Sequence, residues 1–316
     1  MKCYHVRRDG ETGMGQCKDI ARGGRKRSVL RRIVFAGGLL IAFIVVLILA
    51  AVLYNNVALW SDKAFAQRLD SAMKNAEGWV EKHRPEILEE KNAALLTMLR
   101  ECNDLKPNLV FGGIVVSFLN EPMTHHSKCW KREVDPNHPI NAFDLNRAIG
   151  DEYLDNKWAL YAIAPDKAKF DAEKSGLFDR QRWHRRQLTH QVFALTMLRD
   201  RYDSSERISK STEYLCERLK ADMTFSVPVV DIYIQRPAFV LRAGFPQKVR
   251  RRWIERIIAE QQSDGGWNDR WLCFTTARRQ LVFDIGETPS DQHATVQAVL
   301  ALYLVKYRYP EQFGLK

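Results

Sequence analysis

The chain has 316 residues, 46% of them hydrophobic, and a net charge of +11 at neutral pH. This length and apolar content are enough for a sizeable buried core. Residues 1–32 hold ten basic and three acidic side chains, so this tail carries +7 and the rest of the chain only +4. A basic excess confined to a short tail argues against a nucleic-acid-binding face, and we expect no nucleic-acid partner.

An uncharged stretch follows the basic tail. Residues 33–54 contain no charged side chain and consist mainly of Leu, Ile, Val and Ala. At about 1.5 Å per residue, a helix of this length is long enough to cross the hydrocarbon layer of a bilayer. Tyr54 and Trp60 follow it, where interfacial aromatic residues are common. We predict an uncleaved transmembrane anchor in contact with membrane lipid, with a cleaved signal peptide as the alternative.

The charges on either side of this stretch predict its orientation. Five basic residues between positions 25 and 32 precede it, whereas Asp62 and Lys63 are the first charged residues beyond it. The positive-inside bias therefore predicts a cytoplasmic tail and an exported domain at 61–316. No asparagine begins an Asn-x-Ser/Thr sequon. This favours a bacterial inner membrane, with the domain in the periplasm, over a eukaryotic lumen.

The six cysteines divide between the two predicted compartments. Two lie in the tail, Cys3 and Cys17, and four lie in the exported part, Cys102, Cys129, Cys216 and Cys273. An even number in an oxidising compartment permits two disulfides, and pairing of sequence neighbours gives Cys102–Cys129 and Cys216–Cys273. The alternative is that these cysteines are small buried thiols.

Beyond the anchor, apolar residues recur at helical spacing. The pattern predicts helices over 62–83, 85–103, 142–163, 182–202, 205–223, 230–242, 247–262 and 290–307. The segment 106–140 differs, because four prolines and two glycines interrupt it. Its apolar run, 109–119, is too short to span a bilayer. We predict an irregular insertion there, with the run as a buried strand or a lip at the membrane surface.

The predicted helices are of two kinds. Residues 294–305 are apolar nearly all round, which indicates burial on both sides, whereas 247–262 is apolar on one face and rich in arginine elsewhere. The pattern Val-x-Ala-Leu occurs twice, in Val192–Leu195 and in Val299–Leu302. This repetition is expected of stacked helix hairpins, and it can also arise by chance. Alternation of inner and outer helices is what a double-layered helical ring requires.

The turn Gln262-Ser-Asp-Gly-Gly-Trp267 ends the predicted outer helix at 247–262. Glycines there permit positive φ, and the tryptophan can pack across the next hairpin. The turn resembles the Gln-x-x-(Asp)-Gly-x-Trp turn of α/α-toroid proteins, which include terpenoid cyclases, protein prenyltransferase β subunits and polysaccharide lyases. The resemblance implies an all-α fold, with a partial or complete α/α-toroid-like domain of helical hairpins. The Asp-x-Asp-Asp motif of class II terpene cyclases and the zinc ligands of the prenyltransferases are absent, so neither activity is implied.

In such rings, the turns from outer to inner helices gather at one mouth, beside the positive ends of the inner helices. Three segments would meet there, 183–190, 231–236 and 264–293. The candidates for acid and base are the carboxylates Asp231, Asp264 and Asp291 and the proton-transfer groups His190, His293 and Tyr233. The candidates for substrate contact are Trp183 and Trp267, which could stack on sugars, and Arg236, which could neutralise a uronate. Structural alternatives are that Asp264 shapes its turn, Asp291 starts a helix and the histidines are interior.

These side chains predict a membrane-anchored extracytoplasmic protein that binds or cleaves envelope or exopolysaccharide glycans. A noncatalytic component of an inner-membrane assembly, with an envelope protein as partner, is the alternative, because a fold does not decide function. The sequence contains no phosphate-binding loop, Gly-x-Ser-x-Gly turn or His-Glu-x-x-His motif. We expect no cofactor, and no metal site, because His125, His126 and Cys129 lack a fourth ligand at a recognised spacing.

Overall fold

The computed structural model describes residues 17–122, 125–178, 185–226, 229–268, 270–271, 274–275 and 290–315. The chain divides into two compact units, Met1–Leu53 and Tyr54–Lys316. Throughout the described ranges the secondary structure is overwhelmingly helical, which confirms the all-α prediction.

The first unit contains most of α1, a helix over Cys17–Asn56. Its segment Val34–Asn56 has a mean hydropathy of 3.0, and its most apolar window is not buried within the protein. Large apolar side chains such as Phe35, Leu40 and Ile48 are more than half exposed. The predicted apolar segment is therefore one helix that is long and apolar enough to span a membrane.

The second unit contains twelve further described helices. They are α2 (Asp62–Lys82), α3 (Arg84–Glu90), α4 (Ala93–Leu105), α5 (Leu109–Asn120), α6 (His125–Val134), α7 (Ala142–Asp151), α8 (Leu154–Ile163), α9 (Arg185–Arg201), α10 (Glu206–Phe225), α11 (Asp231–Arg242), α12 (Arg251–Ala259) and α13 (Gln292–Tyr303). Single 3-10 turns lie at Pro246–Lys248 and Glu311–Phe313, and a π-helical turn at Leu304–Arg308 continues α13. Two short strands, β1 (Arg270–Trp271) and β2 (Phe274–Thr275), pair antiparallel.

Polar caps explain several helix boundaries. The Ser61 hydroxyl accepts a hydrogen bond from the Ala64 amide at the start of α2, as an N-cap does. The predicted helix at 85–103 is divided into α3 and α4, because Lys91 adopts a left-handed conformation and Asn92 caps the second helix. The predicted helix at 142–163 is divided in the same way by extended backbone at 152–153.

The prediction of an irregular insertion at 106–140 is wrong for its two longest stretches, which form α5 and α6. Its prolines all lie between helices, so they bound the helices and do not interrupt them. The Asn108 side chain accepts hydrogen bonds from two amides of the first turn of α5. This helix then buries Phe111, Ile114 and Phe118 on one face. The apolar run is therefore a helix that packs one face into the core, and it is not a strand.

Six helices of the second unit contact one another in a cyclic order. Helix α4 packs against α6, α6 against α8, α8 against α9, α9 against α11, α11 against α13, and α13 against α4. Helices α7, α10 and α12 each pack against two consecutive members of this cycle. Every residue from Ala294 to Tyr303 in α13 is buried, which confirms the predicted burial on all sides.

Helix α12 is less exposed than its arginines suggested. Arg252, Glu255 and Arg256 are all at least 95% buried. The Arg252 Nε donates to the Tyr54 carbonyl over 2.9 Å, and Glu255 accepts from the amides of Leu59 and Trp60. The predicted outer helix is therefore not solvated along this face, because the chain at 54–60 lies on it.

The cysteines correct a further prediction. Cys102, Cys129 and Cys216 are buried free thiols, so the Cys102–Cys129 disulfide is wrong and the alternative of small buried thiols holds for these three. Burial raises the pKa of Cys129 to about 11 and that of Cys216 to about 12. The proposed partner of Cys216, Cys273, lies outside the described residues, as does Cys3.

Candidate functional site

A cavity of about 280 Å³ opens among the helices of the cycle. Five members of the cycle, α4, α6, α8, α9 and α13, contribute to its wall, together with the end of α3. Its polar wall residues are Glu90, Lys91, Asn92, Glu133, Glu152, Asp155, Asn156, His190 and His293, and its aromatic wall residues are Trp130 and Phe193.

Helix N-termini converge on this cavity. Ala93 is the first residue of α4, Asp155 lies in the first turn of α8, and His293 is the second residue of α13. The unpaired amides at a helix N-terminus carry partial positive charge, which stabilises nearby carboxylates. This explains how one small cavity tolerates several acidic side chains.

Glu133 is the most deeply buried of the acidic side chains in the cavity wall. Its side chain is only 1% exposed, in the second half of α6. Burial raises its pKa to about 7, assisted by the charge of Glu101 and opposed by those of Arg201 and Arg242. Its Oε1 accepts no hydrogen bond from any described residue. A carboxyl group that holds a proton close to neutral pH in a cavity wall is the kind of group that acid catalysis uses.

Asp155 stands in the same wall at the start of α8. Its Oδ1 is also buried and, within the described part of the chain, accepts no hydrogen bond. The residue as a whole is only partly buried. Two carboxyl groups of the cavity wall therefore each have one buried oxygen that accepts no hydrogen bond from the described residues.

The other two acidic residues each accept a hydrogen bond from an asparagine. The Asn156 amide donates to Glu152 over 2.7 Å, and the Asn92 amide donates to Glu90 over 3.4 Å. Lys91, the lysine of the cavity wall, forms its ion pair with Glu121, which is not a wall residue. Among the described wall residues, four acidic side chains stand against one lysine and two histidines.

The His293 side chain contacts the first residue of α11. Its Nδ1 lies 3.3 Å from Oδ1 of Asp231 and 2.7 Å from the Gln297 amide. Burial acts to lower the His293 pKa, but the hydrogen bond to Asp231 and the charges of Asp231, Asp291 and Glu90 outweigh it, so the pKa is raised. His293 is therefore held toward its positively charged form beside the acidic wall.

Three of the predicted site residues are brought together here. His190 and His293 both line the cavity, and Asp231 is bonded to His293. They come from the three segments that were predicted to meet. Asp231 is the first residue of α11, so the sixth helix of the cycle contacts the cavity wall through His293.

Two other predicted carboxylates have structural roles. Asp264 accepts from the Gly266 amide over 3.0 Å, from the Ser290 hydroxyl over 2.6 Å and from the Trp79 indole over 3.2 Å. Burial opposes the charged form of Asp264, but these hydrogen bonds outweigh it and lower the pKa. Asp291 is the N-cap of α13, where it accepts from the Ala294 amide over 3.0 Å. The described cavity wall contains neither residue.

Three further candidates lie in the core. The Tyr233 hydroxyl donates to Asn55 over 3.0 Å, and burial raises its pKa despite the nearby Arg256. Arg236 donates to the Ser226 hydroxyl over 2.7 Å, and the Trp267 indole donates to the Ile257 carbonyl over 2.6 Å. Their burial places these side chains among other residues of the protein and not at the cavity wall. Trp183 lies outside the described residues.

The four acidic residues of the cavity wall are not among the predicted site residues. Glu133 lies within 106–140, which was expected to be irregular. Reading that segment as a helix would have placed Glu133 four residues after Cys129 and next to Val134, on a buried face. In the described part of the chain, no three His, Cys, Asp or Glu side chains form a group that could hold a metal ion.

Comparisons with protein-family models, with curated proteins and with solved structures each found no match to this chain.

Proposed function

We propose that this chain is a membrane-anchored glycoside hydrolase of the cell envelope, with its catalytic site in the acidic cavity. The observation that carries the proposal is Glu133, a buried carboxyl group with a pKa of about 7 and an oxygen that no described residue satisfies. Glycoside hydrolysis generally needs one carboxylic acid that is still protonated near neutral pH and one ionised carboxylate close to it.

Glu133 and Asp155 would divide the chemistry. Glu133 donates its proton to the glycosidic oxygen as the bond from this oxygen to the anomeric carbon breaks. Asp155 accepts a proton from water, and the water oxygen forms the new bond to the anomeric carbon. Glu133 ends ionised and Asp155 protonated, and proton exchange with solvent restores both groups.

The rest of the wall suits a sugar. Trp130 and Phe193 supply apolar surface for the face of a pyranose ring, and His190 and the two asparagines of the wall supply hydrogen bonds for hydroxyl groups. Hydrolysis is favoured over elimination on a uronate, because the wall is acidic and Arg236 is buried beside Ser226.

We also propose that the helical domain is an α/α toroid. The cyclic order of α4, α6, α8, α9, α11 and α13 supports this arrangement, as does the packing of α7, α10 and α12 against consecutive members. A closed cycle of six helices favours a complete ring over a partial one. The cavity would then lie at one mouth of the ring.

In this proposal the basic tail lies in the cytoplasm, and residues 61–316 face the periplasm of a bacterial cell. The distribution of basic residues around the anchor supports this orientation, and the exposed apolar side chains of α1 support its insertion in lipid. The substrate would be an envelope polysaccharide or an exopolysaccharide.

The test uses the full chain in lipid nanodiscs and a panel of envelope polysaccharides, with the release of reducing ends as the measurement. We expect Glu133→Gln and Asp155→Asn each to lower the cleavage rate about 10²–10⁴-fold while the helical circular dichroism is retained. Glu89→Gln is the matched control, because Glu89 is an exposed residue of α3 outside the cavity wall. If the unmodified chain cleaves none of the polysaccharides, the proposal is wrong and a noncatalytic role replaces it.

A further inference from the structure

The last turn of α1 belongs to the second unit. Helix α1 runs without a break over Cys17–Asn56, yet Asn55 is only 1% exposed. The Asn55 amide donates to the Met223 carbonyl over 2.6 Å, and its Oδ1 accepts from the Tyr233 hydroxyl over 3.0 Å. The helix therefore enters the folded domain before it ends, and no linker lies between its apolar segment and the domain.

The length of the apolar segment determines how close this turn lies to a bilayer. At about 1.5 Å per residue, the helical residues 34–53, which precede the second unit, are about 30 Å long. The hydrocarbon core of a bilayer is also about 30 Å thick, and each headgroup layer adds about 5–8 Å. Asn55 follows Leu53 by two residues, which is about 3 Å along the helix axis. With α1 across the membrane, the domain surface around Asn55 therefore lies at the level of the headgroups.

Three exposed apolar side chains surround this turn. Val57 and Leu59, which directly follow α1, are 51% and 61% exposed, and Phe225 at the end of α10 is 69% exposed. The Asn56 amide donates to the carbonyl of Thr224 over 2.9 Å, which brings the end of α10 beside the end of α1. We call Val57, Leu59 and Phe225 the apolar collar.

Arginine and aromatic side chains lie next to the collar. The guanidinium group of the exposed Arg68 lies 4.5 Å from the ring centre of Trp60, and that of Arg252 lies 4.8 Å from the ring centre of Tyr54. Tryptophan and tyrosine concentrate at the headgroup level of membranes, and arginine binds phosphate through several donors. Single exposed apolar residues are common on protein surfaces. What distinguishes the collar is its distance from the end of the membrane-spanning segment.

We propose that the helical domain docks on the bilayer surface through the apolar collar. Leu59 and Phe225 insert among the lipid headgroups, and Arg68 binds a lipid phosphate. The proposal rests on the insertion of α1 in lipid proposed above, and it is independent of the chemistry of the cavity. The domain is then held against the membrane and does not move freely at the end of its anchor.

The test places the photoreactive residue p-benzoylphenylalanine at one position at a time in the full chain, in nanodiscs of phosphatidylethanolamine and phosphatidylglycerol. After illumination, mass spectrometry identifies the molecule that is attached. The collar positions are those of Leu59 and Phe225, and the position of Ile44 reports on lipid contact of α1. The control positions are those of Phe143 and Tyr153, which are 75% and 86% exposed.

The controls are more exposed than Phe225, so exposure alone would favour them. They lie in α7 and at the cap of α8, whereas the end of α1 bonds to α10, α11 and α12. We expect lipid adducts at 44, 59 and 225, with at least ~10-fold fewer at 143 and 153.

A pair of variants assigns the docking to Phe225. A carboxylate is poorly accommodated in the membrane interface. With the photoreactive residue at 59, Phe225→Asp is therefore expected to lower the yield of lipid adducts at least ~3-fold. Phe143→Asp, the matched control, is expected to leave this yield unchanged. Retained helical circular dichroism shows that both variants fold.

Three outcomes would overturn the docking proposal. They are a lipid yield at 225 no higher than at 153, attachment of a second copy of the chain at 225 in place of lipid, and an unchanged yield at 59 in Phe225→Asp. Lipid adducts at 44 without adducts at 225 would retain the anchor and reject the docked domain. An absence of adducts at 44 would reject the anchor as well. The hydrolase proposal is decided separately, by cleavage of the polysaccharide panel.

Discussion

The imidazole Nδ1 of His293 lies 3.3 Å from the carboxylate Oδ1 of Asp231, and this contact joins the N-terminal turns of α13 and α11 at the cavity. The two residues are 62 positions apart in the chain. Through this contact Asp231, which does not line the cavity, raises the pKa of His293, which does.

Replacement of Asp231 should change the titration of His293. In Asp231→Asn the carboxylate charge is lost, the effect of burial is no longer outweighed, and we expect the His293 pKa to fall. The measurement is the chemical shift of the labelled histidine ring as pH is varied. Asp166→Asn, which changes an exposed carboxylate, is the control. An unchanged His293 midpoint in Asp231→Asn would contradict the role assigned to the contact.

The same contact predicts a pH dependence of stability. The folded pKa of His293 lies above its unfolded value of about 6.5, so the folded state binds the proton more tightly. This contribution to the free energy of unfolding is fully present below about pH 6.5 and is lost as pH rises through the folded pKa. Asp231→Asn should flatten this part of the stability profile.

The raised pKa of Glu133 predicts a second pH dependence of the free energy of unfolding. Its pKa rises from the ordinary value of 4.5 to about 7 on folding, so its stabilising effect is complete below about pH 4.5 and is lost as pH rises through 7. Glu133→Gln cannot ionise, and its stability relative to the unmodified chain should grow between pH 5 and pH 8, by on the order of 3 kcal/mol. Thermal unfolding at several pH values measures this, with Glu89→Gln as a control that should show no trend. A constant difference across this range would show that Glu133 is not held protonated.

Gly265 is expected to tolerate no side chain. Its φ is +96°, and a Cβ there would lie 2.5 Å from the Asn75 carbonyl oxygen. Gly265→Ala should therefore lower the free energy of unfolding by about 1–3 kcal/mol, through backbone strain and a clash with main chain that cannot move aside. Gly78→Ala, in the open middle of α2, should instead stabilise the protein by about 0.5–1 kcal/mol. Similar unfolding midpoints for the two variants would refute the close approach of this turn to α2.

Truncation of the Asn55 side chain is expected to lower the free energy of unfolding strongly. Its amide donates to the Met223 carbonyl over 2.6 Å, and its Oδ1 accepts from Tyr233 and Arg256. Asn55→Ala would remove the acceptor of the buried Tyr233 hydroxyl and one acceptor of Arg256, so we expect a loss of more than about 2 kcal/mol in the free energy of unfolding. Asn137→Ala, at an exposed position, should change it by less than about 0.5 kcal/mol. If the two variants unfold alike, this network does not stabilise the domain.

Periodicity was sufficient to predict most of the helices. The apolar spacing of 62–83 and 205–223 gave elements within a few residues of α2 and α10, because one face of each helix is buried. The break at Lys91 was missed because its left-handed conformation belongs to a residue type that rarely adopts it. The two helices within 106–140 were missed because their bounding prolines were taken as signs of irregular structure throughout.

From the sequence, the only site residues that could be predicted were those close to the start of a helix. His190, His293 and Asp231 lie in or near N-terminal turns, so a rule about helix ends brought them together. Glu133 follows no such rule, since its burial and its raised pKa depend on side chains from other helices. The burial of Trp267 against the Ile257 carbonyl also arises only in the folded domain.

The packing of α13 against α4 has a consequence for how the chain acquires its structure. These two helices are separated by most of the second unit, and their contact is one of the links in the cyclic order. During synthesis, α4 therefore leaves the ribosome long before α13 has been made. The partly synthesised domain exposes the apolar surface that α13 will cover. Contacts between such distant segments form slowly. During biogenesis the nascent domain should thus depend on a chaperone until its last long helix emerges.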